Sequence, residues 1–147
     1  MRKPVTKIVL VAAALAAIAA FAVGCGHHRR HGPKHVERFT TSMVDNVLDD
    51  IDATDAQAEK IQAIRANLVQ LALAERDAHH EAGAAVAAEL RKENPDAARV
   101  HALIDARSAA MTALAHQAGD ALIEVHGVLD AKQRAELLDQ IEAHHKR

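Results

Sequence analysis

From Val36 onward the apolar residues return at three- and four-residue steps, with no run that alternates every second position. That one periodicity restricts the fold to helices. Val36, Phe39, Met43, Val47 and Ile51 mark one face of a first helix. Ile61, Ile64, Leu68 and Leu71 continue through Ala78 and Ala82 to Val86 and Leu90, a stripe that needs a second, long helix from about Asp55 to Glu93. Asn94-Pro95-Asp96 ends it. Asn is a good N-cap and Pro suits a first helical turn, so the same residues start a third helix carrying Val100, Leu103, Met111, Leu114, Leu122 and Val125. So short a connection makes the pair an antiparallel hairpin. Gly127 and the polar stretch from Asp130 to Gln133 set off a fourth, short helix with Leu137, Leu138 and Ile141. The expected fold class is therefore all-α: an elongated antiparallel helical hairpin with two short flanking helices.

The stripes are narrow. Half of the 147 residues are hydrophobic but only 1% are aromatic, which leaves too little bulk for a deep core. A helix from Asp55 to Glu93 spans roughly 58 Å at 1.5 Å per residue, whereas a compact domain of this size has a radius of gyration near about 14 Å. Gly83, Gly119 and Gly127 inside helical stretches cost about 1 kcal/mol each relative to Ala. An elongated monomer of this kind is expected to share its apolar faces in a homodimer.

The first segment stands apart. Arg2, Lys3 and Lys7 precede an apolar run of 16 residues, Ile8 to Val23, the layout of a secretory signal and shorter than the roughly 20 residues of a straight membrane span. The run ends in Ala22, Val23, Gly24 and Cys25. These residues resemble a bacterial lipobox, in which cleavage precedes a cysteine that becomes lipidated, with Ala22 in place of the more usual Leu. Ala20-Phe21-Ala22 allows cleavage by an ordinary signal peptidase instead, and an uncleaved short anchor is the third option. All three place the remainder outside the cytoplasm. The expected organisation is a signal peptide over 1–24, a His-rich flexible arm over 25–35 and a helical domain over 36–147. Without Arg2, Lys3 and Lys7 the chain keeps 15 basic against 20 acidic residues, a net charge of −5 with His neutral. An acidic exported chain excludes nucleic acid as a partner.

Eleven His are unevenly placed. His27, His28, His31 and His35 crowd the start of the mature chain, with His27, His31 and His35 spaced at four, which on a helix would align imidazoles for a borderline cation such as zinc or nickel. Gly32 and Pro33 interrupt that helix, so the tract reads as an arm that chelates loosely, or else as a hydrated tether. His79 and His80 with Glu81 lie mid-helix and need a partner from another helix or subunit to hold a metal; otherwise they are a solvated face. Position 84 is Ala, so no metalloprotease motif follows His80. His101, His116 and His126 stand singly, and His144 and His145 end the chain beside Glu142. Met43, Met111 and His116 are the residue types for axial haem ligation, at no diagnostic spacing.

Two helix starts repeat a signature: Ala53-Thr54-Asp55-Ala56-Gln57 and Leu129-Asp130-Ala131-Lys132-Gln133. Each is close to a capping box, with Thr54 or Asp130 accepting from a backbone N–H and Gln57 or Gln133 reaching back to the cap. Paired LTxxQ motifs in a signal-bearing helical chain resemble the Spy/CpxP group of periplasmic proteins, over roughly Val36 to Glu142. The first copy has Ala for the leading Leu and the second has Asp for Thr. The resemblance implies a cradle-shaped antiparallel dimer, a periplasmic location, ATP-independent chaperone activity towards unfolded envelope proteins and, in one branch, damping of a membrane sensor protein. In the group's metal-responsive branch, ZraP-like and CnrX-like, the same scaffold binds zinc, nickel, cobalt or copper. The basic, partly aromatic cradle of the chaperones is replaced here by an acidic chain.

Nothing supports catalysis. No Gly-rich phosphate loop, G-x-S-x-G or CxxC occurs, and Cys25 is the single cysteine. Three non-enzymatic classes follow: an envelope chaperone or stress adaptor, which is the main expectation and requires no cofactor; a heavy-metal binding or sensing protein on the same scaffold; and a structural helical lipoprotein.

Overall fold

The computed structural model describes residues 32–145; the signal segment, Cys25, His27, His28 and His31 lie outside them. Four helices follow in order: α1 Pro33–Asp50, α2 Asp55–Leu90, α3 Ala97–Val128 and α4 Ala131–His145. No described residue is in a strand. The all-α hairpin expected from the periodicity is the fold, with α2 and α3 as its long antiparallel arms and α1 lying back along α2.

Each joint has a local cause. Gly32 precedes Pro33 at the first turn of α1, where a missing N–H costs nothing. α1 ends in a Schellman motif: Ala53 N–H donates to Leu48 C=O at 2.9 Å and Asp52 N–H to Asp49 C=O at 3.3 Å, with Asp52 left-handed at φ 52°. Thr54 then opens α2 with a complete capping box. The third helix starts two residues later than a cap at Asn94 would place it: Asp96 is the N-cap, accepting from Ala98 N–H at 2.9 Å and Arg99 N–H at 3.3 Å, and α2 stops at Leu90. Pro95 therefore belongs to the connection rather than to the first turn of α3.

The core sits at one end only. Val44, Val47, Leu48 and Ile51 of α1 meet Ile61, Leu68, Val69 and Ala72 of α2 and Leu114, Ala118, Ala121 and Val125 of α3, closed by Leu129. The buried face of α1 is rotated from the expected stripe, so that Phe39 is 57% exposed while Thr40 is buried. From residue 73 to 113 the only buried side chain is Glu89 at the tip. Two helices alone cannot surround one another. Val86 and Leu103 are consequently half-buried, and Leu90 and Ile104 are exposed.

Candidate functional site

The two repeated motifs meet. Gln57 and Gln133 face each other at the root of the hairpin, and each amide donates to the other's oxygen, at 2.9 Å from Gln57 and 3.1 Å from Gln133. The second N–H of Gln57 reaches Val128 C=O at 3.0 Å, and that of Gln133 reaches Asp52 C=O at 3.3 Å. Each oxygen also caps its own helix, accepting from Thr54 N–H and from Asp130 N–H at 2.9 Å. Gln133 N–H donates back to Asp130 at 2.9 Å, so α4 has the capping box expected of its sequence. Every donor of both amides is used. The arrangement is pseudo-twofold, each Gln reaching the carbonyl two residues before the other's cap. It fixes the linkers of α1–α2 and α3–α4 to each other and has no group to offer a ligand.

A second polar contact joins α1 to α2. Arg65 is only 6% exposed and has no carboxylate within ion-pair distance among the described residues. Its Nε donates to Gln62 Oε1 at 2.6 Å and a terminal N–H donates to Thr40 Oγ1 at 3.0 Å. Gln62 passes the polarisation on, donating to Asp45 at 2.6 Å. At the hairpin tip, Glu89 accepts from Lys92 at 2.7 Å and from Asp96 N–H at 3.0 Å. The Lys92 hydrogen bond first, then the Asp96 N–H, hold its carboxyl below the usual value.

A polar cluster with vacant space beside it lies halfway along the hairpin. There α2 and α3 line an open groove of about 590 Å³ with His79, Ala82, Gly83 and Val86 on one side and Leu103, Ile104, Arg107, Ser108, Met111 and Thr112 on the other. A Cβ added at Gly83 would touch nothing within 4 Å, as befits an open groove. The Arg107 guanidinium bridges the groove: one nitrogen donates to Glu75 of α2, the next lies 2.8 Å from Met111 Sδ, and Nε is buried without a partner. An orphaned buried donor costs about 1–3 kcal/mol.

Of the sequence-derived metal residues, His35, His79 and His80 fall within the described part, on two different helices. His35 falls inside α1, not in the arm, and stacks on Phe39 at 6.5 Å. His79 and His80 sit edge to face at 6.1 Å, both exposed, with His79 alone lining the groove. His101, His116 and His126 are exposed along α3. Among the described residues no three His, Cys, Asp or Glu side chains converge as a metal would require. Glu75 and Arg107 were missed from the sequence; their signal is the pair of four-residue spacings Glu75/His79 and Arg107/Met111.

Among the described residues no helix is long and apolar enough to cross a membrane. Large apolar side chains are nevertheless exposed on the helices, notably Leu90 at 60%, Ile104 at 52% and Ile123 at 71%. Neither a curated protein nor a solved structure matches the chain. A family model described as heavy-metal resistance matches residues 7–136, most of its length and all of the hairpin. On that match, a helical scaffold bearing a His-rich start and an acidic balance belongs to the heavy-metal resistance family.

Proposed function

We propose that this protein binds a first-row transition metal, of the zinc or nickel class, outside the cytoplasm and serves heavy-metal resistance or sensing without catalysis. The observation that carries the reading is the family match over residues 7–136, which spans the hairpin and reaches back across the His-rich arm. His27, His28, His31 and His35 are the first ligands in this reading, and His79 and His80 the second group. Imidazole is the donor that borderline cations prefer, and a chain of net charge −5 beyond the signal favours them further. Export through the signal layout, lipidation at Cys25, attachment to an envelope membrane and pairing into a homodimer belong to the same proposal. Equilibrium dialysis of the full chain in detergent against zinc and nickel tests it. The expectation is at least one ion per chain, lost when His27, His28, His31 and His35 become Ala. A full chain that retains neither ion removes the reading.

A second reading, an ATP-independent chaperone for unfolded envelope proteins, is favoured by one observation: Leu90, Ile104 and Ile123 are exposed on the hairpin. Aggregation of a chemically unfolded protein, followed with EDTA and with zinc, separates the two. Suppression that survives EDTA supports the chaperone, suppression only with zinc makes metal its regulator, and no suppression removes it.

A further inference from the structure

Among the described residues there are two thioethers, and they are placed differently. Met43 is buried on α1 at 6% exposure, whereas Met111 is half-buried and lines the open groove between α2 and α3. Its sulfur stands where an oxygen would be expected. Arg107 Nη1 donates to Glu75, Nη2 lies 2.8 Å from Met111 Sδ, and the buried Nε–H has no acceptor. In a planar guanidinium the N–H bonds of Nε and Nη2 run parallel along one edge, the edge that grips both oxygens of a carboxylate in a bidentate pair. Here that edge faces a thioether, a weak acceptor that engages one donor and leaves the other unmet. Buried donors are ordinarily satisfied by oxygen, so the edge is short of one oxygen atom.

We propose that Met111 is an oxidation site: a peroxide converts its thioether to the sulfoxide, and the Nε–Nη2 edge of Arg107 receives the new oxygen. The step balances with hydrogen peroxide alone. The sulfur lone pair attacks one peroxide oxygen, an S–O bond forms and the O–O bond breaks. The proton of the attacked oxygen passes to the other, which leaves as water, so sulfur gives up two electrons and the peroxide takes them. Thioether oxidation follows exposure, and the oxidant reaches Sδ through the groove, where Ser108 and Thr112 beside it are exposed. The sulfoxide oxygen sits one bond from Sδ, next to Nη2 and the orphaned Nε. Oxidation of a packed methionine ordinarily disrupts its surroundings by placing a polar atom among apolar ones. At Met111 that atom meets an unpaired donor instead, and Arg107 becomes fixed from the α3 side while Glu75 holds it from α2. Because methionine sulfoxide can be reduced enzymatically, the contact can be made and unmade. The inference is independent of metal binding.

The experiment treats the full chain in detergent with hydrogen peroxide and follows each of its three methionines by peptide mapping. Met111 should gain an oxygen at least about tenfold faster than Met43. Melting temperatures are then compared before and after treatment, with Met111→Leu, a substitution that packing tolerates, given the same peroxide to record oxidation elsewhere. Oxidised wild type should melt at or above its reduced form, and methionine sulfoxide reductases should return it to the starting value. In Arg107→Ala no donor receives the oxygen, so the same oxidation should lower the melting temperature by a few degrees. If Met43 oxidises as fast as Met111, the site is overturned. If oxidation lowers the melting temperature of wild type as much as that of Arg107→Ala, the role of Arg107 is overturned. If Arg107→Ala fails to fold, Met111→Gln decides, because its amide oxygen stands in for that of the sulfoxide. Melting above Met111→Leu supports the proposal, and melting at or below it refutes it.

Discussion

Gln57 and Gln133, 76 residues apart in the chain, close a ring of two reciprocal amide hydrogen bonds at the root of the hairpin. Each amide thereby does two jobs, capping its own helix and holding the carbonyl of the opposite linker at Val128 or Asp52. The motif repeat is thus one clasp written in two halves, which explains why both copies keep Gln while the leading residue and the cap differ.

Removing one half should cost more than a cap. Gln133→Ala loses a cap and strands the half-buried amide of Gln57, for an expected destabilisation of about 3 kcal/mol by urea unfolding. Gln57→Ala should behave alike. The double variant should cost less than the two single losses combined, with a coupling of about 1–2 kcal/mol, because the second removal leaves nothing newly unpaired. Strict additivity would show the clasp to be incidental.

Arg65 and Gln62 are expected to be unequal. Arg65→Met keeps the buried stem and removes a charge that has no carboxylate beside it, so stability should stay within about 1 kcal/mol of wild type. Gln62→Leu leaves the guanidinium buried without its shortest acceptor and should cost about 2–3 kcal/mol. Thermal unfolding of both variants measures the order.

Glu89 gives the hairpin tip a pH dependence. Its carboxyl titrates below the usual 4.5, because Lys92 and the Asp96 N–H favour the charged form. A group depressed on folding contributes stability that is complete above its unfolded value and is lost as pH falls through the folded one. The stability difference between wild type and Glu89→Gln should therefore be constant above about pH 5 and close progressively below about pH 4.5. Melting curves across pH 3 to 7 check it; a difference that closes as pH rises would contradict the assignment.

Backbone substitutions should stabilise. Gly127 is exposed in helix α3 and an added Cβ meets nothing within 4 Å, so Gly127→Ala should add about 0.5–1 kcal/mol. Asp52 is left-handed at φ 52°, so Asp52→Gly should relieve about 1 kcal/mol while leaving its carbonyl to Gln133. Differential scanning calorimetry reads both as higher melting temperatures.

The helices, their order and two of their caps were legible because each depends on residues three or four apart: the stripe from Ile61 to Leu71, Thr54 with Gln57, Asp130 with Gln133. The family match over residues 7–136 agrees with the all-α scaffold and favours metal over the chaperone that the LTxxQ resemblance put first. Local periodicity failed where a choice between neighbours was needed. Phe39 fits the apolar stripe of α1 as well as Thr40 does, but the rotation of α1 on α2 buries Thr40 against Arg65 and leaves the ring outside. The Schellman turn at Asp52 had no glycine to announce it, since Asp tolerates the left-handed conformation. By itself, then, the sequence determined which segments are helical and where α2 and α4 start, because capping and periodicity are satisfied within one or two turns. Only the tertiary structure decided that Gln57 meets Gln133 and that Arg107 meets Glu75 and Met111, because such pairings depend on how far two helices slide and rotate against each other, and that is set by the packing of the whole hairpin.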